Sequence, residues 1–227
     1  MSKRFGYLFA DEMEYKPFRE LALKNGGAEV PDAPLPLVRY DVDGAEIFAV
    51  QSGIGKVNAA FAATYLVLEK KVDALLSAGL SGAISHLRKG DVIAGETYVE
   101  CDFDLRVFDY PLGKKTDGTY VHHAGAELLN AASALPGMHT GALGTGDFFL
   151  TDPETKAFYK EEFGLRAFDM ETAAIAAVAD KLATPFLSVR KISDDADDGA
   201  LESYTAMNEL AEEDLSRILL NIVEKLI

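Results

Sequence analysis

The chain has one cysteine, Cys101, in 227 residues. A lone thiol forms no internal disulfide and no cysteine metal cluster. Basic residues are scarce as well: 22 Lys and Arg stand against 37 Asp and Glu, a formal net charge of −15. A polyanionic partner needs a Lys/Arg-rich surface, so this balance argues against binding to nucleic acid. Long apolar runs are missing. None approaches the ~20 residues that cross a bilayer. The opening Met1-Ser2-Lys3-Arg4 runs straight into a strand-like segment, without the apolar stretch and cleavage site of a signal peptide. The expectation is a cytoplasmic protein with no membrane and no nucleic-acid partner.

What remains is ordinary globular composition, 48 % hydrophobic and 26 % charged. Linkers, repeats and low-complexity stretches are not evident, so residues 1–227 read as a single domain. Arg4–Ala10 reads as a buried strand and Asp11 to Lys24 as a helix, with Pro17 fitting only near its first turn. Leu37–Asp41 and Glu46–Gln51 flank the Asp43-Gly44 hairpin signal. Ser52–Lys56 is a Gly-rich bend that opens a helix through Lys70, with Val57, Phe61, Tyr65 and Leu68 as its apolar face. Val72–Ala78 is a strand, Gly79–Ala83 a second Gly-rich loop, and Lys89-Gly90-Asp91 a turn into strand Val92–Val99. Later strands are expected at His139–Leu143, Arg166–Met170 and Pro185–Ile192, with helices at Ala124–Leu135, from Pro153, at Glu171–Lys181 and at Tyr204–Ile227. Strands alternating with helices, several apolar throughout, imply a three-layer α/β/α sandwich around a mixed, mostly parallel sheet.

In such sheets ligands gather at the carboxyl ends of strands. Carboxylates, glycines and aromatics fall there repeatedly: Asp11-Glu12-Met13-Glu14, Ser52–Gly55, Gly79–Gly82, Gly146–Leu150, Phe168–Glu171 and Ser193–Asp197. Each has a plain structural reading. Glu12, Glu14 and Glu171 suit the positive end of a helix dipole, Asp194 could cap a helix, and Phe148-Phe149 could be core. The Gly-rich loops lack the Lys-Ser/Thr of a P-loop. Asp194–Asp198 lacks the alternating pattern of an EF-hand loop. No metal and no cofactor is expected.

Taken together and in order, AxExE, SGIGKV (Ser52–Val57), AGLSG, RKGD, DFD, GDFFL, FDMET and RKISDDAD resemble the 5′-methylthioadenosine/S-adenosylhomocysteine nucleosidases of the purine nucleoside phosphorylase superfamily, over essentially the whole chain. The resemblance implies hydrolysis of an N-glycosidic bond by water. By position, Glu14 resembles the residue that orients the water, Glu171 the one that binds the ribose hydroxyls, and Asp194, supported by Ser193, the acid that protonates purine N7. Phe149 matches the aromatic stacked on adenine, and Leu150 would offer backbone groups to the base edge. Met170 lies beside the sugar, and Ile54 borders the ribose and the 5′ group. Phe108 matches an aromatic lent by the partner subunit of a homodimer.

The chemistry is consistent with these roles. An oxocarbenium-like sugar favours nearby carboxylates, and a purine leaving group needs a proton from an acid of raised pKa. Asp195, Asp197 and Asp198 would raise that pKa if they face inward.

Four positions depart from the family: Cys101 replaces a His, Asp11 an apolar residue, Leu80 a small polar one, and Tyr204 an apolar aromatic. Asp11 and Tyr204 together imply a more polar 5′ pocket. Two other readings stay open. A phosphorylase of the same superfamily would need an Arg where Leu76, Ser77 and Ala78 stand. A nucleoside sensor with a relic site would have lost one of Glu14, Glu171 or Asp194.

Overall fold

The computed structural model describes residues 2–42, 44–207 and 212–227. Along the chain run β1 (Lys3–Phe9), α1 (Glu12–Lys24), β2 (Ala28–Glu29), β3 (Leu37–Val42), β4 (Ala45–Gln51), α2 (Lys56–Glu69), β5 (Ala74–Ala83) and β6 (Val92–Glu100). After a 3₁₀ turn at Arg106–Phe108 come β7 (His122–His123), α3 (Ala126–Ser133), β8 (Met138–Thr145), α4 (Pro153–Phe163), β9 (Ala167–Asp169), α5 (Thr172–Lys181), β10 (Phe186–Asp194), α6 (Ala200–Met207) and α7 (Glu212–Glu224).

Side chains alternate across a strand, and β1 shows what that does here. Phe5, Tyr7 and Phe9 join α1, α3 and α7 in one apolar cluster. Leu8 faces the other way, into a cluster with α2 and α5. The sheet therefore lies between two helical layers, as the alternation of elements implied. It is mixed: β1–β4, β1–β5, β5–β10, β6–β8 and β8–β9 pair in parallel, and the expected hairpin β3–β4 is antiparallel. A third cluster, with Ile84, Leu150, Tyr159 and Phe168, packs α4 against the ends of β5 and β9.

One feature of the topology positions the site. β10 pairs with both β5 and β6, while β6 pairs β8, β8 pairs β9, and β9 pairs β5 at Gly82↔Phe168. Those five strands close into a ring. The carboxyl ends of β5, β9 and β10 consequently meet.

Several sequence expectations are corrected. Gly79–Ala83 is no loop but the second half of β5, a ten-residue strand; its glycines allow close packing rather than a turn. The apolar stripe of α2 points outward. Ala59, Ala62, Ala63 and Leu66 are buried, whereas Val57, Phe61 and Leu68 are exposed. Small residues let α2 lie close to α5 and the sheet. The closing helix starts earlier, at Ala200, and appears as α6 and α7, with 208–211 outside the described residues. Pro17 sits at the sixth position of α1, later than its first turn, and the helix continues past it. The two-residue strands β2 and β7 have no signal in the sequence. Among the described residues, no helix is long and apolar enough to cross a membrane.

Candidate active site

The converging strand ends enclose a cavity of about 330 Å³, a size typical of small-molecule sites. Glu14, Glu171 and Asp194, from three separate segments, all line it and are all buried.

Glu14 lies in the first turn of α1, whose start is capped by Asp11: Asp11 Oδ1 accepts the Glu14 N–H at 2.9 Å. The Glu14 carboxylate accepts two backbone N–H groups, from Ala10 at 2.8 Å and Leu80 at 2.8 Å. Its pKa is pushed up to about 7, chiefly by burial and then by Asp11, against the pull of Arg190 and the two N–H bonds. Gly79 explains how the carboxylate fits. A Cβ there would stand 2.4 Å from Glu14 Oε1 and 2.5 Å from Arg190 Nη1, so only glycine admits both groups against the strand.

Glu171 stands at the N-cap of α5. Its Oε1 accepts the Gly55 N–H at 2.9 Å. Gly55 has φ +93°, a left-handed backbone that glycine adopts without strain and that turns this N–H toward the site. Burial raises the Glu171 pKa too, and Arg190 opposes the rise. The cap of α5 comes from Asp169, whose Oδ1 accepts the N–H groups of Glu171 and Thr172 and the hydroxyl of Thr145.

Arg190, on β10 and fully buried, is the countercharge. Its Nε lies 3.1 Å from Asp169 Oδ2 and its Nη1 3.9 Å from Glu171 Oε2. Its Nε also donates to the Ser188 hydroxyl, and its Nη2 donates to the hydroxyls of Ser77 and Thr172. Sequence reading passed over this residue. The signal was present: a lone Arg inside the apolar strand FLSVRKIS demands buried carboxylates.

Asp194 ends β10. Its Oδ2 accepts the Ser193 hydroxyl at 2.6 Å and its Oδ1 the Ala196 N–H at 2.8 Å. Burial raises its pKa. The two hydrogen bonds lower it, and Asp195 and Asp197 raise it further.

Asp11, Ile54, Phe149, Leu150, Met170, Ser193 and Tyr204 line the same cavity. Phe149 is 41 % exposed and meets the Tyr204 ring edge-on at 5.6 Å, while Phe148 packs inward on Phe168 at 5.2 Å. Tyr204 OH donates to Asp11 Oδ2 at 3.3 Å. A cross-link holds this rim together: Asp147, beside the Phe148-Phe149 pair, accepts the Lys56 N–H at the start of α2, and Lys56 Nζ lies 2.7 Å from both Glu100 and Asp102. Phe108 stands apart, in the 3₁₀ turn, 69 % exposed and outside the lining of this cavity. Arg88 and Lys89 are exposed and are not among the residues that line it.

The phosphorylase superfamily model matches residues 4–224. A 5′-methylthioadenosine/S-adenosylhomocysteine nucleosidase of Geobacillus kaustophilus is 34 % identical over 80 % of this chain and 81 % of its own. Among solved structures, a Helicobacter pylori nucleosidase mutant with 5′-methylthioadenosine in its active site superposes with a TM-score of 0.95 at 27 % identity, covering 99 % of this chain and 100 % of that one. Futalosine hydrolase of Helicobacter pylori superposes with a TM-score of 0.94 at 28 % identity, covering 99 % of both chains. The chain therefore belongs to the phosphorylase superfamily and, within it, to the family of the 5′-methylthioadenosine/S-adenosylhomocysteine nucleosidases.

Proposed function

We propose that this chain hydrolyses the N-glycosidic bond of 5′-substituted adenine nucleosides, such as 5′-methylthioadenosine and S-adenosylhomocysteine, releasing adenine and the 5′-substituted ribose. The observation that supports this reading best is the burial of Glu14, Glu171 and Asp194 around one cavity, with Arg190 beside the two glutamates and away from the aspartate's own contacts. A leaving purine needs a proton. Asp194, whose pKa burial and two like charges raise, gives it to N7 as the C1′–N9 bond breaks. The cationic sugar that forms is stabilised by Glu171, which also accepts from the ribose hydroxyls. Glu14 and Arg190 converge on one spot beside Gly79. Glu14, which lines the cavity, holds the water that attacks C1′ and takes its proton. Phe149 stacks on the base, Leu150 meets its edge through backbone groups, and Ser193 orients the acid. Met170 and Ile54 border the sugar.

Asp11 and Tyr204 form the 5′ end of the pocket. Asp11 favours a 5′ substituent that brings an ammonium group or hydroxyls over one that is wholly apolar. Residues 1–227 act as one domain. The enzyme belongs in the cytoplasm, where the buried Cys101 stays reduced.

The working unit is a homodimer. Ile54, Val57, Phe61 and Leu68 expose an apolar stripe along α2 and its approach, and Val107 and Phe108 expose another on the 3₁₀ turn. Contiguous apolar surface of this kind marks an interface. In the dimer Phe108 closes the 5′ side of the partner's site. A monomer in sedimentation that keeps full activity would remove the shared-site part of this reading.

The activity is tested by following base release from 5′-methylthioadenosine with and without phosphate. Hydrolysis independent of phosphate is expected; release only with phosphate would identify a phosphorylase, and binding without turnover a sensor. A panel with S-adenosylhomocysteine, 5′-deoxyadenosine and futalosine then ranks the 5′ group.

A further inference from the structure

Two consecutive backbone N–H groups at the start of α2 serve opposite sides of the cavity. The Gly55 N–H goes to Glu171 Oε1 at 2.9 Å, and the Lys56 N–H goes to Asp147 Oδ1 at 2.8 Å. Glu171 is the carboxylate assigned to the ribose. Asp147 immediately precedes Phe148 and Phe149, the segment assigned to the base. The helix start therefore joins the sugar side of the site to its base side. Asp147 is not among the residues that line the cavity, so it reaches a substrate only through what it holds.

The joint is built from several directions. Gly55, at the N-cap of α2, has no side chain with which to cap the helix. Asp147, 91 residues further along the chain, takes that place, and a carboxylate suits the unpaired N–H groups and positive dipole of a helix start. The fit is close: a Cβ on Gly55 would lie 3.2 Å from Asp147 Oδ1. Asp147 is anchored in turn. Its own N–H donates to Asp102 Oδ2 at 2.9 Å. Lys56 Nζ stands 2.7 Å from Asp102 Oδ1, 2.7 Å from Glu100 Oε1 and 3.9 Å from Asp147 Oδ2, so one cation offsets three carboxylates around the joint. Lys115 pairs with Glu100 from the other side.

We propose that Asp147 is a positioning residue: by capping α2 from the base segment, it fixes the spacing of Phe149 from Glu171, so that base and ribose are gripped together. This rests on the nucleosidase reading of the cavity. The test is calorimetric binding of two probes, free adenine and a C-nucleoside analogue of 5′-methylthioadenosine whose carbon–carbon glycosidic bond cannot be hydrolysed, to the wild type, Asp147→Ala, Asp147→Asn and Lys56→Met. The Asp147 side chain is 47 % exposed, so truncating it removes no core packing. Asp147→Ala should bind the analogue about tenfold more weakly, the size of one hydrogen bond to a charged group. Adenine should lose much less, because it needs only the base segment, whereas the nucleoside needs both sides in register. Asp147→Asn keeps an oxygen for the Lys56 N–H and should recover most of the analogue affinity. Lys56→Met keeps that N–H but strips the cation from three carboxylates; it should weaken the analogue by a smaller factor, again more than adenine. Equal losses for the two probes in Asp147→Ala would overturn the coupling, since Asp147 would then support the base segment alone. Unchanged analogue affinity in Asp147→Ala, or an Asn variant as weak as the Ala variant, would overturn the assignment outright. Failure of the wild type to bind either probe would instead sink the nucleosidase reading itself.

Discussion

The two ends of the cavity handle carboxylates in opposite ways. At the sugar end, Glu14 and Glu171 share a buried guanidinium and accept backbone N–H groups from Ala10, Leu80 and Gly55. Burial pushes both pKa values up, and Arg190 pulls both back. At the base end, the influences on Asp194 are burial, one hydroxyl, one backbone N–H and two further carboxylates, with no cation in that set. Environments that treat titratable groups differently within one site separate acid from base. Arg190 offsets part of the effect of burial at Glu14 and Glu171, whereas like charges add to burial at Asp194.

The sharpest way to break this comparison is Asp194→Asn. It keeps the shape and removes the transferable proton. Turnover of 5′-methylthioadenosine should fall ~10²–10⁴-fold, the usual general-acid contribution, while a non-hydrolysed nucleoside analogue still binds. Near-wild-type turnover would take Asp194 out of the role.

The sugar end divides next. Glu14→Gln should abolish most hydrolysis with nucleoside affinity largely kept, because Glu14 is assigned to water. Glu171→Gln should weaken binding about 10- to 100-fold as well, through lost charge-assisted bonds to the ribose hydroxyls. Titration of both variants with the same analogue checks this, and the reverse ranking would exchange the two roles.

A smaller effect concerns stability. Glu14 has a folded-state pKa of about 7, raised from 4.5. Between those values the folded protein retains a proton that the unfolded chain releases. Stability therefore falls as pH rises across that window and levels off above it, by about 3 kcal/mol for this group. Glu171 acts in the same direction. Urea unfolding from pH 4.5 to 8 should show the decline in the wild type and a shallower one in Glu14→Gln. An identical slope in both would mean that Glu14 is not the titrating group. The activity counterpart has the opposite sign: kcat/KM should rise with pH toward about 7 as Glu14 ionises.

The smallest effect lies at the 5′ mouth. Asp11→Leu should shift preference several-fold toward 5′-methylthioadenosine and away from S-adenosylhomocysteine, in line with one exposed charge pair of ~1 kcal/mol. Asp11 also caps α1, so Asp11→Asn, which can keep the cap, separates the charge from the helix start. An unchanged ranking in both variants would defeat the polar-pocket reading.

The sequence made the carboxylates legible because they stand where strands end, and strand ends are where open sheets place ligands. It hid Arg190, since an Arg in an apolar strand discloses a need for partners but not their identity. It misled at β5, where Gly79 looks like a loop residue while the structure uses it for close approach to Glu14 and Arg190. The stripe on α2 was read with the right periodicity and the wrong side. Spacing identifies a face, and only the small side chains of Ala59, Ala62 and Ala63, in line with Leu66, tell which face can lie near a sheet. The short pairings β2 and β7 are fixed by their neighbours, which no local pattern records.

The closed ring of β5, β10, β6, β8 and β9 makes the spacing of Glu14 and Asp194 a property of the backbone. Leu80, which holds Glu14, and Gly82, which abuts Asp194, are two residues apart on β5, and β10 is laced to the same strand by parallel hydrogen bonds. The 5′ mouth is built differently, from α6, the start of α1 and the Ile54 bend. Substitutions at Asp11 and Tyr204 therefore change the lining of that mouth without touching the strands that space Glu14 and Asp194.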